Sequence, residues 1–330
     1  MFWFTWRQFR TPAVVTAAAL AVFGVLLLVT VPTITELYAE VAACSGDCAT
    51  VTRDFLTRVN DSAAGTLYFS GLAVMYLTPA LVGIFWGAPL VARELEAGTH
   101  RLIWNQAVSR TRWLASKLVF LGATTVAVTG LLSVLVTGWA DRIDGAAGDR
   151  ITPLVYGARG VVPVGYAVFA FTLGVTCGML IRRTMPAMAA TLAGYTAAAV
   201  AMPLWLRTRL VAPRHETPLL DLEKLAMVGI RQNGSMEIFG AGVPNAWTVS
   251  NQTITPGGEV FRGPANLDVC GRSGSPDKCD AWIGTLGLRQ DVVYHPDSQF
   301  WALQWTETGI LLALAALLVV CCFWRIRRLS

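Results

Sequence analysis

Residues 67–92, LYFSGLAVMYLTPALVGIFWGAPLVA, run for twenty-six positions without one charged residue or histidine. A water-soluble helix of that length needs a polar face, and this stretch has none. A bilayer core about 30 Å thick is crossed by roughly 20 residues of helix, so the solvent that suits this stretch is lipid. The rest of the chain agrees. Of 330 residues, 54% are hydrophobic and 14% charged, against about 25% charged in an ordinary soluble domain. The mean hydropathy is +0.52. A typical soluble enzyme is excluded, and no nucleic-acid partner is expected.

Residues 13–34, 118–140, 161–181, 184–206 and 300–324 are also long and apolar enough to cross, the last with a single charge, Glu307. The expected fold is an all-α polytopic membrane protein with six transmembrane helices. Residues 1–206 would hold an N-terminal segment and five helices, 207–300 a polar domain, and 301–330 the sixth helix with a short tail. Basic residues near span ends set the orientation. With the N-terminus inside, the cytoplasmic segments carry twelve basic residues (Arg7, Arg10, Arg93, Arg101, Arg110, Arg112, Lys117, Arg182, Arg183, Arg325, Arg327 and Arg328) against Glu94 and Glu96. The remainder carries fourteen basic and nineteen acidic residues. Both termini are therefore placed in the cytoplasm and 207–300 outside it. Arg7 and Arg10 ahead of an apolar run imitate a signal peptide, but that run is itself long enough to span and five more follow, so it reads as uncleaved. The decapeptide MFWFTWRQFR reads equally as a short helix in the cytoplasmic interface or as the aromatic, basic flank of the first span.

The cysteines fit this orientation, because disulfides persist on the oxidising side of a membrane. Cys44 and Cys48 fall in the first external loop, Cys270 and Cys279 in the last. Two local disulfides are expected. The alternatives are four free thiols or a shared metal, although the two pairs lack the spacing of a familiar zinc module. The external region 207–300 reads as a small mixed α/β unit. Within it, 219–230 (LLDLEKLAMVGI) has a helix-like apolar pattern, whereas 247–254 and the neighbourhood of Val260 and Phe261 look like short strands between Pro-Gly turns.

Several kinds of chemistry are missing. None of the three lysines follows a glycine, so there is no GxxxxGK[ST] phosphate-binding loop and any use of ATP requires a partner. His100, His215 and His295 lie in separate segments without HExxH spacing, and no metal or catalytic residue is assigned. Glu307 stands out, since an ionisable group within a span usually faces a cavity or a partner. The competing reading starts the span at Thr308, leaving Glu307 as an interfacial anchor.

The loop after the second span, GAPLVARELEAGTHRLIWNQAVSRTRWLASKL at 87–118, holds both cytoplasmic carboxylates and six basic or histidine side chains. Charge alone would make it a positive-inside loop and nothing more. Its motifs, however, resemble those of the membrane permease subunits of bacterial type-2 ABC (ATP-binding cassette) exporters, in which the second span ends in an E-x-E-x-G-T element. A Ser-Arg turn and then a Lys opening the third span follow it. Here these are Glu94, Glu96, Gly98 and Thr99, then Val108, Ser109 and Arg110, then Lys117, with Ala107 in place of the usual Pro. The run 299–328 is similar to the ending of actinobacterial members.

The resemblance implies that 93–117 forms a coupling element docking on a separate ATPase, with Arg93, Glu94, Glu96, Gly98, Thr99, Arg101, Ser109 and Arg110 as its site residues. It further implies two ATPase copies carrying ATP and Mg, no cofactor on this chain, a second permease that is identical or paralogous, and a bacterial cell membrane. A path between permeases would be lined by Tyr68, Phe69, Met75 and Tyr76 of the second span, Met188, Tyr195 and Met202 of the fifth, and Glu307. Each of these residues can equally be a helix-packing or lipid-facing residue. Export of a lipid, drug or peptide is the expected function. The alternative is a membrane sensor whose external domain binds a peptide or antibiotic.

Overall fold

The structure is a computed structural model that describes residues 2–98, 109–222, 225–230, 235–271 and 275–328, with side chains from residue 14 onward except at 226. It divides into two compact units, Met1–Leu210 with Trp301–Ser330, and Val211–Phe300.

Among the described residues, six helices are long and apolar enough to cross a membrane, numbered here as spans: Val14–Ala43, Ala63–Glu96, Arg110–Ala147, Val162–Ile181, Thr184–Leu210 and Asp297–Arg327. Six were expected. They are longer than the apolar runs because a helix ends where a cap ends it, not where hydrophobicity stops. The third-span helix passes through Asp141, Arg142 and Asp144. At its start the Ser109 side chain accepts from the Arg112 N–H, and at its end Gly148 takes the left-handed conformation, φ 65°. Residues of the N-terminal decapeptide continue into the first span as a single helix, Phe2–Ala43.

The fourth span sits at the centre. Ala170, Gly174 and Gly178 recur every four residues along one face, and Gly83 and Gly87 of the second span answer them. A Cβ added at Gly174 would lie 2.4 Å from the Gly83 carbonyl oxygen, and one at Gly178 would lie 2.4 Å from that of Ala88. Without a hydrophobic drive between helices in lipid, such small-residue faces let backbones touch and gain dispersion contact. The second span widens there into a π-helical turn, Val82–Gly87. Pro89 has no N–H to return to the preceding turn, and the Ala88 N–H bonds the Gly83 carbonyl five residues back.

Between the first two spans, the Cys44–Cys48 disulfide leads into a helix, Ala49–Asn60, that the sequence reading did not anticipate. It buries Phe55 and Val59 in one cluster with Ile34 of the first span and Ile143 of the third.

In the second unit, strands β1 (Arg214–Glu216), β5 (Arg289–Pro296) and β4 (Ala246–Ile254) form an antiparallel sheet in that order, and β2 (Leu225–Ile230) pairs with β3 (Met236–Gly240). Two helices, Leu267–Cys270 and Pro276–Thr285, are joined by the Cys270–Cys279 disulfide. The unit is mixed α/β, as expected. Residues 225–230 correct the helical reading of 219–230: the register Val228↔Ile238 and Ile230↔Met236 makes them a strand, bulged between Leu225 and Met227. The expected strand at 247–254 lies within β4, while Val260 makes only a single bridge to Ile254. The unit boundary falls at Val211, not 207, because the fifth span continues helically to Leu210.

Candidate functional site

At the end of the second span the helix Pro89–Glu96 carries the acidic pair. Glu94 accepts from Lys117 Nζ at 2.5 Å, and the two side chains are only 13% and 4% exposed. Lys117 also reaches the Leu90 carbonyl at 3.4 Å. Glu96 accepts from the backbone N–H of Thr184 at 3.0 Å and from its hydroxyl at 2.7 Å. Arg93 and Gly98 are exposed, Arg110 is half-buried, and Ser109 caps the third-span helix. Thr99 and Arg101 lie outside the described residues.

Of the residues expected along a path, the structure joins some and separates others. Tyr195 is buried and its hydroxyl donates to the Tyr76 carbonyl at 2.6 Å. Met75 and Met202 are buried, Met188 is half-buried, and Phe69 is exposed. Tyr68 is drawn into a charge cluster, donating to Asp144 at 2.7 Å. Glu307 does not lie outside the sixth helix, which runs unbroken over Phe300–Arg327. Its carboxylate is fully buried and grips Arg207 in a fork, 2.8 Å to Nε and 2.9 Å to Nη2, while Tyr166 donates to it at 2.9 Å. A charge at bilayer depth is expensive when alone; the two-bond geometry and the tyrosine offset that expense.

These contacts hold the connection between the third and fourth spans inside the bundle. Residues 155–159 are all buried. The Gly160 carbonyl is met by Ser133 and its N–H by Thr137. Ser133 lies fourteen residues before the end of the third-span helix, about 20 Å along its axis, so the segment re-enters the helix bundle. Irregular backbone at that depth must be satisfied by protein. Gln304 of the sixth span does so four times, accepting from Val161 and Val162 and donating to the Tyr156 and Arg159 carbonyls at 2.9 to 3.2 Å. Tyr76 and Arg207 bind the Pro153 and Leu154 carbonyls. Arg159, 1% exposed, pairs with Asp144 at 2.6 Å. Burial, and then the Asp144 charge, push the Asp149 carboxyl above the usual carboxylate range.

Asp144, Arg159, Arg207 and Gln304 were missed by sequence reasoning. Each lies within a turn or so of the end of an apolar run, where a polar residue reads as solvated. The one available signal was Gln304 standing three residues before Glu307 on the same helix face.

A groove of about 1000 Å³, open at the surface, runs between the first, second and third spans, its walls almost wholly apolar and including Phe23, Leu26, Phe85, Trp86 and Leu132. Among the described residues no three His, Cys, Asp or Glu side chains converge to hold a metal ion.

A family model described as "ABC-2 membrane transporter related" matches residues 17–207, more than half of the chain. No curated protein and no solved structure matches.

Proposed function

The chain belongs to the ABC-2 membrane transporter related family, and from that membership we propose that it is the permease subunit of an ATP-driven exporter for a hydrophobic or amphipathic compound. Membership and six spans make it a multi-pass membrane protein and the transmembrane permease of an ABC transporter, a family that works with an ABC ATPase. The finer reading adds orientation, coupling and cargo. The twelve-to-two excess of basic residues around the expected cytoplasmic ends supports a cytoplasmic loop at 97–109 and an extracytoplasmic unit at 211–300. In that arrangement the loop docks on the ATPase, two ATPases bind ATP and Mg, and two permeases, identical or paralogous, complete the machine in a bacterial plasma membrane. ATP-driven closure of the ATPase pair moves the spans only if it favours one permease conformation over another.

The observation that carries the reading is the end of the second span, where the helix Pro89–Glu96, braced by Lys117 and Thr184, ends at the exposed Ala97 and Gly98. The open apolar groove along the first three spans suits an apolar cargo. The test compares compounds released by cells carrying the intact chain, cells lacking it, and cells whose partner ATPase is catalytically dead. The same compound should be missing from the medium in the last two. A compound lost on deletion but not with the dead ATPase would contradict ATP-driven export.

A further inference from the structure

Residues two apart on an α-helix point about 200° apart, so Glu94 and Glu96 cannot both face one docking partner. Within this chain they reach in opposite directions, Glu94 to Lys117 on the third span and Glu96 to Thr184 at the first turn of the fifth. The fifth-span helix has a need there. The opening N–H groups of a helix lack intrahelical partners, and its own N-cap residue, Arg183, supplies no side-chain acceptor. Glu96 fills that role from 88 residues away, and its negative charge also suits the positive end of the helix dipole. Immediately beyond it the second-span helix stops: the Ala97 N–H closes on the Arg93 carbonyl, and Gly98 turns left-handed at φ +70°. The loop thus departs two residues past the capping carboxylate.

We propose that Glu96 is a positioning residue for coupling, fastening the start of the ATPase-facing loop to the first turn of the fifth span so that displacement of the loop is delivered to that span. The proposal rests on the permease reading above and narrows it: the acidic pair transmits force within the chain and does not itself contact the ATPase. The two carboxylates have different parts. Glu94–Lys117 is desolvated and acts as a fixed brace, whereas the Glu96–Thr184 link is open to solvent, where a hydrogen bond has modest net strength and can break and re-form within a transport cycle.

Glu96→Ala and Thr184→Val test this in two measurements. In the isolated chain in nanodiscs, amide exchange at 184–187 should be about 2- to 30-fold faster in Glu96→Ala, the factor expected from losing a helix cap; unchanged exchange would overturn the cap. In the complex with the ATPase, both variants should keep the ATPase bound with unchanged Kd. The permease-dependent change in ATP turnover should fall by at least about fivefold, the lower end of ordinary coupling factors. The double variant should be no worse than the worse single. Loss of ATPase binding in Glu96→Ala alone would make Glu96 a direct contact and overturn the proposal, as would normal turnover in both variants. If the unsubstituted chain binds no ATPase, the permease reading and the coupling role fall together, while the exchange result still shows whether the cap exists.

Discussion

Replacing Glu307 by Gln leaves the Arg207 guanidinium, 2% exposed, without the carboxylate that holds it at 2.8 and 2.9 Å. Breaking one side of a buried pair costs about 3–5 kcal/mol, because the surviving charge stays buried. Gln keeps one oxygen able to accept a hydrogen bond from Arg207 or Tyr166, so Glu307→Gln belongs near the lower end, about 3 kcal/mol. Arg207→Met strands the carboxylate among the hydroxyls of Tyr166 and Tyr156 and also forfeits the bond to the Pro153 carbonyl, so it belongs near the upper end. The double variant Arg207→Met/Glu307→Gln removes both charges. It should lose little beyond the Pro153 bond, at about 1 kcal/mol. The assay is thermal unfolding in nanodiscs, read by tryptophan fluorescence. At about 2–4 °C per kcal/mol, the single variants should melt on the order of 10 °C lower and the double variant clearly above the Arg207→Met single. Singles that melt with the parent, or a double equal to their sum, would refute the reasoning, since groups in direct contact must show coupling.

Gln304→Leu removes four bonds to the re-entrant segment, and amide exchange at Val161 and Val162 should accelerate at least tenfold, the effect of about 1.4 kcal/mol. Gly174→Val forces a side chain against the Gly83 carbonyl; it should destabilise by about 1–3 kcal/mol or more, measurable as a lower melting temperature, with Gly309→Val, which meets nothing, as the neutral control. Asp149, whose carboxyl is raised by burial and by Asp144, binds its proton more tightly folded than unfolded. Its contribution is therefore fully present below its unfolded pKa and is lost as pH rises through the folded one. Asp149→Asn should stabilise at pH 7 and show that advantage shrinking in melts taken at progressively lower pH. Replacing Cys270 and Cys279 by Ser should cost the second unit about 2–3 kcal/mol by loop-closure entropy, read as loss of protection in β3 and the Pro276–Thr285 helix.

The six spans were legible because lipid imposes a length and a composition that no soluble helix shares. Their ends were not, because Asp141, Arg142 and Asp144 prolong a helix that hydropathy alone stops at Ala140. The re-entrant connection was invisible for a related reason: 148–161 reads as a polar, Gly- and Pro-containing loop, and only the convergence of Tyr76, Ser133, Arg207 and Gln304 from four spans makes its burial affordable. Glu307 could be singled out as costly, yet its partner Arg207, a hundred residues earlier, looked like the first residue of a soluble domain. The strand at 225–230 was misread because an apolar pattern over a dozen residues is compatible with a helix, and its pairing with Met236–Gly240 overrode that local signal. The acidic pair was located from its motif, but the direction each carboxylate takes follows from packing against Lys117 and Thr184, which no spacing rule reveals.

The central claim, that this chain is the permease through which a separate ABC ATPase acts, is tested most directly by purifying the tagged chain from its native membrane in mild detergent and identifying what accompanies it. An ABC ATPase should co-purify, and it should be lost when residues 97–108 are replaced by a Gly-Ser linker of equal length while the melting temperature of the bundle is unchanged. An intact, monodisperse chain that retains no ATPase, or one that retains it without that loop, would contradict the account.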